Sequence, residues 1–468
     1  MENKKKKEFP NVLVILMALI IICTLLTYVI PAGTYEQIKN EATGRMVIDP
    51  ASFKYVDKTP VGLFGMLLSV EEGLIAAASI SFMIFMAFSS LFTIEKTGAI
   101  DAIINSMTKK IKDKPKSANL MIAITMAVIS AWGSTGTLSY EEIIAFVPIF
   151  VTLSIALGYD ALVGLGMSFV AVGIGFASST INPFTVGVAQ GIAELPLFTG
   201  LRYRIIILVV MTAMTIAFVL MYANKIKKNP SKSLVADVDY SEFVLSAERA
   251  ETIMTKERIL TLIALLIAVI IMAYGLIEKG WYINEVAAIF IGLTLATGII
   301  NKWSPNKLAG IFIEGLSKGV LSALVVGFAR GVLVVLAKGQ IIHTIVHAFA
   351  EALANMSLYV SSIGMLIFQT LLNFLIPSGS GQAAVSMPIV TPIADLIGMN
   401  RQIAALIFQF GDGYSNLLWP TGFLLIGCAI GKIPINKYYK WFIPYFLVSF
   451  VVQVIFIFIA IAINFGPF

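Results

Sequence analysis

Few residues in this chain are suited to chemistry, and most of them lie in apolar surroundings. The stretch "FQFGDGYSNLLWP", 408–420, sets Asp412 between two glycines, with Ser415 and Asn416 close behind and Pro420 where a helix would run on. "GFASSTINPFTVG", 175–187, offers Ser178, Ser179, Thr180, Asn182 and Thr185 around Pro183. "VVGFARGVL" carries Arg330. "GSTGTLSYEE", 133–142, adds Ser134 and Thr135 and leads into Glu141 and Glu142, while "SGSG", 378–381, adds Ser378 and Ser380. Acids, one arginine and many neutral hydroxyls and amides suit a small zwitterion or carboxylate, a proton or a cation. His343 and His347 share a helix face at a spacing that can hold a metal, but no third ligand is near, so no metal site is expected. Cys23 and Cys428 sit in apolar segments and read as packing residues without a disulfide framework.

The elements that position these residues must live in lipid. The chain has 468 residues, 58% hydrophobic and 13% charged, against about 25% charged in soluble domains. This composition describes a polytopic membrane protein. A span needs about 20 apolar residues. The uncharged runs at 161–193 and 352–394 are too long for one helix and must be interrupted or fold back. The net charge of +6 comes from basic residues beside the spans, as cytoplasmic flanks require, and gives no nucleic-acid signal. The apolar run after the N-terminal lysines is about 20 residues, longer than the roughly 7–15 of a signal peptide, and reads as a retained first helix.

The positive-inside rule orders the spans. Lysines at 4–7 place the N-terminus in the cytoplasm. Helices are expected at about 11–30, 73–97, 203–224, 259–277, 284–301, 318–337 and 441–464, with interrupted helices near 160–200 and 402–431. The basic segments at 109–116, 225–232, 302–307 and 431–440 all fall inside only if 118–157 and 357–397 are re-entrant hairpins. The C-terminus then lies outside. The residues preceding each hairpin read as short surface helices. The expected organisation is an N-terminal helix and outer segment (1–60), a first repeat (61–224), a cytoplasmic loop (225–258), linking scaffold helices (259–301) and a second repeat (302–468).

The repeat is visible in the punctuation. Gly98 matches Gly339, Pro148 matches Pro388, Gly158 matches Gly398 and Pro183 matches Pro420, at separations of 241, 240, 240 and 237 residues. Each half holds three full crossings and starts on the opposite side, so the halves have inverted topology. Paired Gly/Pro interruptions in two inverted halves point to the binding site of a secondary transporter. A broken backbone in hydrocarbon costs several kcal/mol per stranded group unless it lines a watered cavity. There, half-helix N-termini attract carboxylates, and C-terminal carbonyls attract cations.

An ionisable group near mid-membrane is functional by default, so Asp412 is the first candidate for reading substrate, proton or cation. An ion pair with Arg330 is its structural alternative. Ser139 and Glu142 fit a capping box, which accounts for Glu142. Glu141 has no such explanation. Asp160 and Asn400 stand just before helices and read as N-caps. An intramembrane aspartyl protease built on Asp160 and Asp412 is a remote alternative. Gln409 breaks its Gly-X-Gly-Asp motif, and Asp160 stands at a helix end.

The motifs "VIPAGTYE", "EEIIAFVPIF", "LGYDALVG", "INPFTVGVAQGIAELPLFTGLRYR", "LIPSGSGQAAVSMPIVTPIADLIG" and "FQFGDGYSN" resemble the YfcC-type transporters over essentially the whole chain. These are grouped with the DcuC-type C4-dicarboxylate carriers and the ArcD-like basic amino acid antiporters in the ion transporter superfamily. The resemblance implies an all-α elevator-type carrier of the cytoplasmic membrane, with a scaffold that dimerises and no enzymatic activity. It also implies a Ser-Asn-Thr type motif for sodium and carboxylate, whose nearest matches are Ser178-Ser179-Thr180 and Ser415-Asn416. Na+ or H+ are the coupling ions considered, and no other cofactor is expected. Acids outnumber bases among Asp412, Glu141, Glu142 and Arg330, which favours a basic amino acid such as arginine or ornithine over a C4-dicarboxylate.

Overall fold

The computed structural model describes residues 12–39, 46–111, 115–244, 251–279, 281, 283–354 and 356–466. The lysines at 4–7 expected to place the N-terminus in the cytoplasm lie outside the described residues. Seven described helices are long and apolar enough to cross a membrane, and large apolar side chains such as Phe82, Val209 and Ile299 stand exposed along them, as lipid contact requires.

After α1 (Val12–Val29), a long element runs as α2 (Leu63–Ala76) and α3 (Ala78–Lys96), interrupted at Ala77. Next come α4 (Ala99–Ile111) and a hairpin of α5 (Pro115–Gly133) returning through α6 (Tyr140–Ile144) and α7 (Val147–Ala156). An interrupted helix follows, α8 (Ala161–Ala177) and α9 (Val186–Ile192), and then the 28-residue α10 (Leu201–Lys228). Two linking helices, α11 (Lys256–Glu278) and α12 (Ile283–Ile300), lead to the second half. There the order recurs: α13 (Pro305–Lys338), α14 (Ile342–Ala354), the hairpin α15 (Leu358–Leu375) and α16 (Gly379–Leu396), the interrupted α17 (Arg401–Ser415) and α18 (Phe423–Ile430), and α19 (Ile435–Ala462), again 28 residues.

Three expectations need correction. The helices expected at 73–97 and 318–337 are longer at their N-terminal ends. Charged residues end an apolar run without ending a helix when they can pair: Glu72 binds Lys338 at 2.7 Å, and Lys96 binds Glu314 at 3.2 Å. Second, the interrupted helix expected near 402–431 does break, but only after Ser415, so Gly411 and Gly413 lie within the helix. Its two glycines serve close packing. A Cβ on Gly413 would meet the Ala177 Cα at 2.3 Å, and one on Gly411 would meet the backbone of Gln369 and Thr370 at 3.0 Å. Third, the all-α expectation does not extend to the segment between α1 and α2. That segment forms two antiparallel ribbons, pairing 33–34 with 54–55 and 37–39 with 46–48. Beside them, Tyr35 hydrogen-bonds His347, and Phe53 stacks on the His347 ring at 3.7 Å.

The interrupted helices form the centre of the molecule. Every residue of α8 is buried, as is every residue of α17 after Arg401. They cross where Ala177 meets Gly413 and are braced by Gln409 Nε2 donating to the Phe176 carbonyl at 2.7 Å. Asp160 and Asn400 cap α8 and α17 by accepting from Val163 N and Gln402 N, as their sequence positions predict.

Candidate functional site

Each hairpin turns beside the interrupted helices. In the first, Thr180 N donates to the Ser134 carbonyl at 2.9 Å, and the Ser134 and Thr180 hydroxyls are bonded at 3.1 Å. Thr135 is spent within its own turn, on Trp132 O and Thr137. Glu142 accepts from Ser139 N at 2.7 Å, the expected capping bond. The second hairpin turns at Ser378, whose hydroxyl accepts from Gly381 N and caps α16. Gly379 lies against Thr185 of the first break and Asp412 of the second half.

These turns and breaks enclose a cavity of about 110 Å³. Its polar lining is Ser139, Glu141, Glu142 and Thr185 from the first half, and Ser378, Ser380, Asn416 and Thr421 from the second, with Tyr140, Phe176, Phe184 and Phe423 as aromatic walls. Tyr140 and Phe423 stack with rings 3° from parallel. The facing wall comes from α3, α12 and α13 and consists of Ile80, Ile283, Val326, Ala329 and Arg330. The glycines flanking Arg330 pack backbone to backbone on α2: a Cβ on Gly73 would lie 2.4 Å from Gly331 N and 2.5 Å from Gly327 O. That contact fixes the stretch of α13 that presents Arg330 to the cavity.

Of the residues singled out in the sequence, Ser139, Glu141, Glu142, Thr185, Arg330, Ser378, Ser380 and Asn416 line this cavity. The others stand behind the lining and hold it. Ser178 bonds the Tyr414 hydroxyl at 2.7 Å, Ser179 donates to Phe176 O at 2.5 Å, and Asn182 accepts from Phe184 N. Ser415 donates to Gly411 O. Asp412 is fully buried, accepts from Asn373 Nδ2 at 3.0 Å and leaves its other carboxylate oxygen without a partner. Its partner is thus Asn373 rather than Arg330. Asp160 is spent elsewhere, on Tyr222 and Ser233, and among the described residues no hydrogen bond joins it to Asp412.

Signals for the rest of the site were weaker. Thr185 and Thr421 are buried, and their hydroxyls have no hydrogen-bond partner among the described residues. Both were legible as polar groups beside a break. The aromatic walls carried no signal, because an aromatic residue in an apolar span is usually lipid-facing or core. The three ionisable side chains of the lining, Glu141, Glu142 and Arg330, give it a formal charge of −1. Among the described residues no hydrogen bond or ion pair joins the arginine to either glutamate, so the opposite charges face a shared space.

The family model for the DcuC C4-dicarboxylate anaerobic carriers matches residues 9–462. A protein of Escherichia coli (strain K12), YfcC, provisionally designated a basic amino acid antiporter, is 33% identical over 90% of each chain. An uncharacterised protein of Haemophilus influenzae is 30% identical, covering 94% of this chain and 95% of that one. Among solved structures, the Alcanivorax borkumensis YdaH transporter aligns over 98% of this chain and 100% of that one, with 14% identity and a TM-score of 0.46. The Neisseria gonorrhoeae efflux pump MtrF aligns over 96% and 95%, with 17% identity and a TM-score of 0.45. With seven apolar helices and a family match along nearly its whole length, the chain is a multi-pass membrane protein and belongs to the DcuC family of carriers.

Proposed function

We propose that this protein exchanges basic amino acids across the cytoplasmic membrane. The carrying observation is the cavity lining of formal charge −1, made by Glu141 and Glu142 against Arg330. Arginine or ornithine brings two cationic groups and one carboxylate. Glu141 and Glu142 match the cations. Arg330, with the serines at the N-terminus of α16, matches the carboxylate. A C4-dicarboxylate would bring two negative charges to a lining that is already negative, with one arginine to receive them. The provisional designation of YfcC points the same way.

The movement fits an elevator. One wall of the cavity is apolar except for Arg330 and belongs to α3, α12 and α13. The other belongs to hairpins and interrupted helices that brace each other. A seam of this kind lets one group of helices slide past another. The recurring element order, with matched lengths of 13 residues for α4 and α14 and 28 for α10 and α19, supports two inverted repeats, 61–224 and 302–468. In this reading 259–301 is linking scaffold and a homodimer forms through the scaffold. The N-terminus is cytoplasmic and the C-terminus outside. The small-molecule substrate and the bilayer are the partners, and the protein catalyses no covalent reaction. Asp412 lies beside the second tip and serves as the coupling position for H+ or Na+.

Purified protein in liposomes tests this. Labelled arginine should enter only when arginine or ornithine is inside. Succinate counterflow without an arginine signal would replace the amino acid by the dicarboxylate.

A further inference from the structure

The least expected side chain in the molecule lies outside the cavity. Arg204 is 1% exposed, and its Nε and both terminal nitrogens have no hydrogen-bond partner among the described residues. An arginine keeps its charge inside proteins and offers five donors and no acceptor. Burying that charge uncompensated costs several kcal/mol even after relaxation. Arg204 is the fourth residue of α10, whose N-cap, Gly200, offers no side chain and whose first turn holds no acid. Helical side chains lean toward the N-terminus. The guanidinium therefore points back to the end where the first backbone N–H groups lack helical partners and carry positive partial charge.

Two comparisons sharpen this. The fourth residue of α19, the matching 28-residue helix, is Tyr438, and its hydroxyl donates to the Leu417 carbonyl at 2.8 Å. The corresponding position in the first half has no such acceptor. Second, α10 and α19 run antiparallel, with Tyr203 donating to Phe456 O and Thr215 bonded to Tyr445. That register sets Gln453 within about one turn of Arg204. The Gln453 amide nitrogen is also buried without a partner. Unmet need is thus one-sided here: donors without acceptors.

We infer that Arg204, the N-terminus of α10 and Gln453 hold a small inorganic anion of chloride size within the protein. The near-complete burial of Arg204 favours a small ion over a lipid headgroup, and the single formal charge favours a monovalent one. This site is distinct from the cavity and does not depend on which substrate is carried.

The test is thermal unfolding of the purified chain in phosphatidylcholine nanodiscs, with chloride replaced by gluconate at constant ionic strength. The wild-type midpoint should climb with the logarithm of chloride concentration above its Kd, bromide should substitute, and Arg204→Gln should remove the dependence. An identical wild-type midpoint in chloride and gluconate, or a dependence that survives Arg204→Gln, overturns the site. So does rescue in gluconate by phosphatidylglycerol, which would assign the charge to a headgroup. Should Arg204→Gln fail to fold, anomalous scattering from crystals of wild-type protein in bromide decides: a peak beside the Arg204 guanidinium supports the site, and its absence there overturns it.

Discussion

Replacing Glu141 by Gln is the most direct probe of how the cavity reads charge. The substitution keeps size and hydrogen-bonding shape and moves the formal charge of the lining from −1 to 0. Opposite charges about 4 Å apart interact by about 4 kcal/mol at an effective dielectric of about 20. Desolvation offsets much of this, and a net charge-assisted hydrogen bond is worth about 1.5–3 kcal/mol. At about 1.4 kcal/mol per tenfold, the KM for arginine should rise roughly 10- to 150-fold. Counterflow in proteoliposomes measures it directly. Glu142→Gln is the companion variant: its amide oxygen can still accept from Ser139 N, so the cap should survive while the charge is lost. Arginine KM values for folded Glu141→Gln within about threefold of wild type, less than 1 kcal/mol, would refute the reading of Glu141 as the cation's partner.

Other consequences follow from the same geometry. Gly413→Ala forces a Cβ onto the Ala177 backbone and should lower stability by about 1–3 kcal/mol, read by thermal unfolding; an unchanged midpoint would contradict the helix crossing. Asp412→Asn should abolish coupled uptake while leaving the melting midpoint near wild type, and transport at the wild-type rate would remove Asp412 from coupling. Arg330→Met should weaken zwitterionic substrates far more than amines lacking the carboxylate, as competition assays would show. In the segment after α10, the hydrogen bond from Lys432 holds the Glu242 carboxyl below its ordinary range. A depressed carboxylate contributes stability above its unfolded pKa, about 4.3, and loses it as pH falls through the folded value. The pair is half exposed, so the effect is small. Hydrogen exchange in 229–244 should quicken below about pH 4, and a Lys432→Ala variant should show no such step.

Much of the fold was legible because lipid allows so few options. Apolar length located the spans, and helix caps such as Asp160 and Asn400 fell where their side chains could reach the next turn. The limits have physical causes. Glycine signals both a break and a close approach. At 411–413 the sequence suggested the first, while the structure requires the second, since α8 crosses there. Charge ends an apolar run but not a helix, which hid the ends of α2 and α13. The site was half legible for a related reason. Hydroxyls beside a break either face a ligand or tie down the break, and Ser134, Thr180 and Ser178 do the second. Only tertiary contact separates them from Ser378, Ser380 and Asn416.

The brace between Gln409 and the Phe176 carbonyl joins residues 233 positions apart. A ribosome adding about 5–20 residues per second needs on the order of 10–50 s to make the second after the first. Throughout that interval the first interrupted helix has left the ribosome without the side chain that satisfies its end. A nascent first half therefore waits in the membrane with exposed polar backbone, and cannot complete its own core. Truncations ending before residue 401 should be held by the insertion machinery or degraded. A split carrier should recover only when both halves are made together.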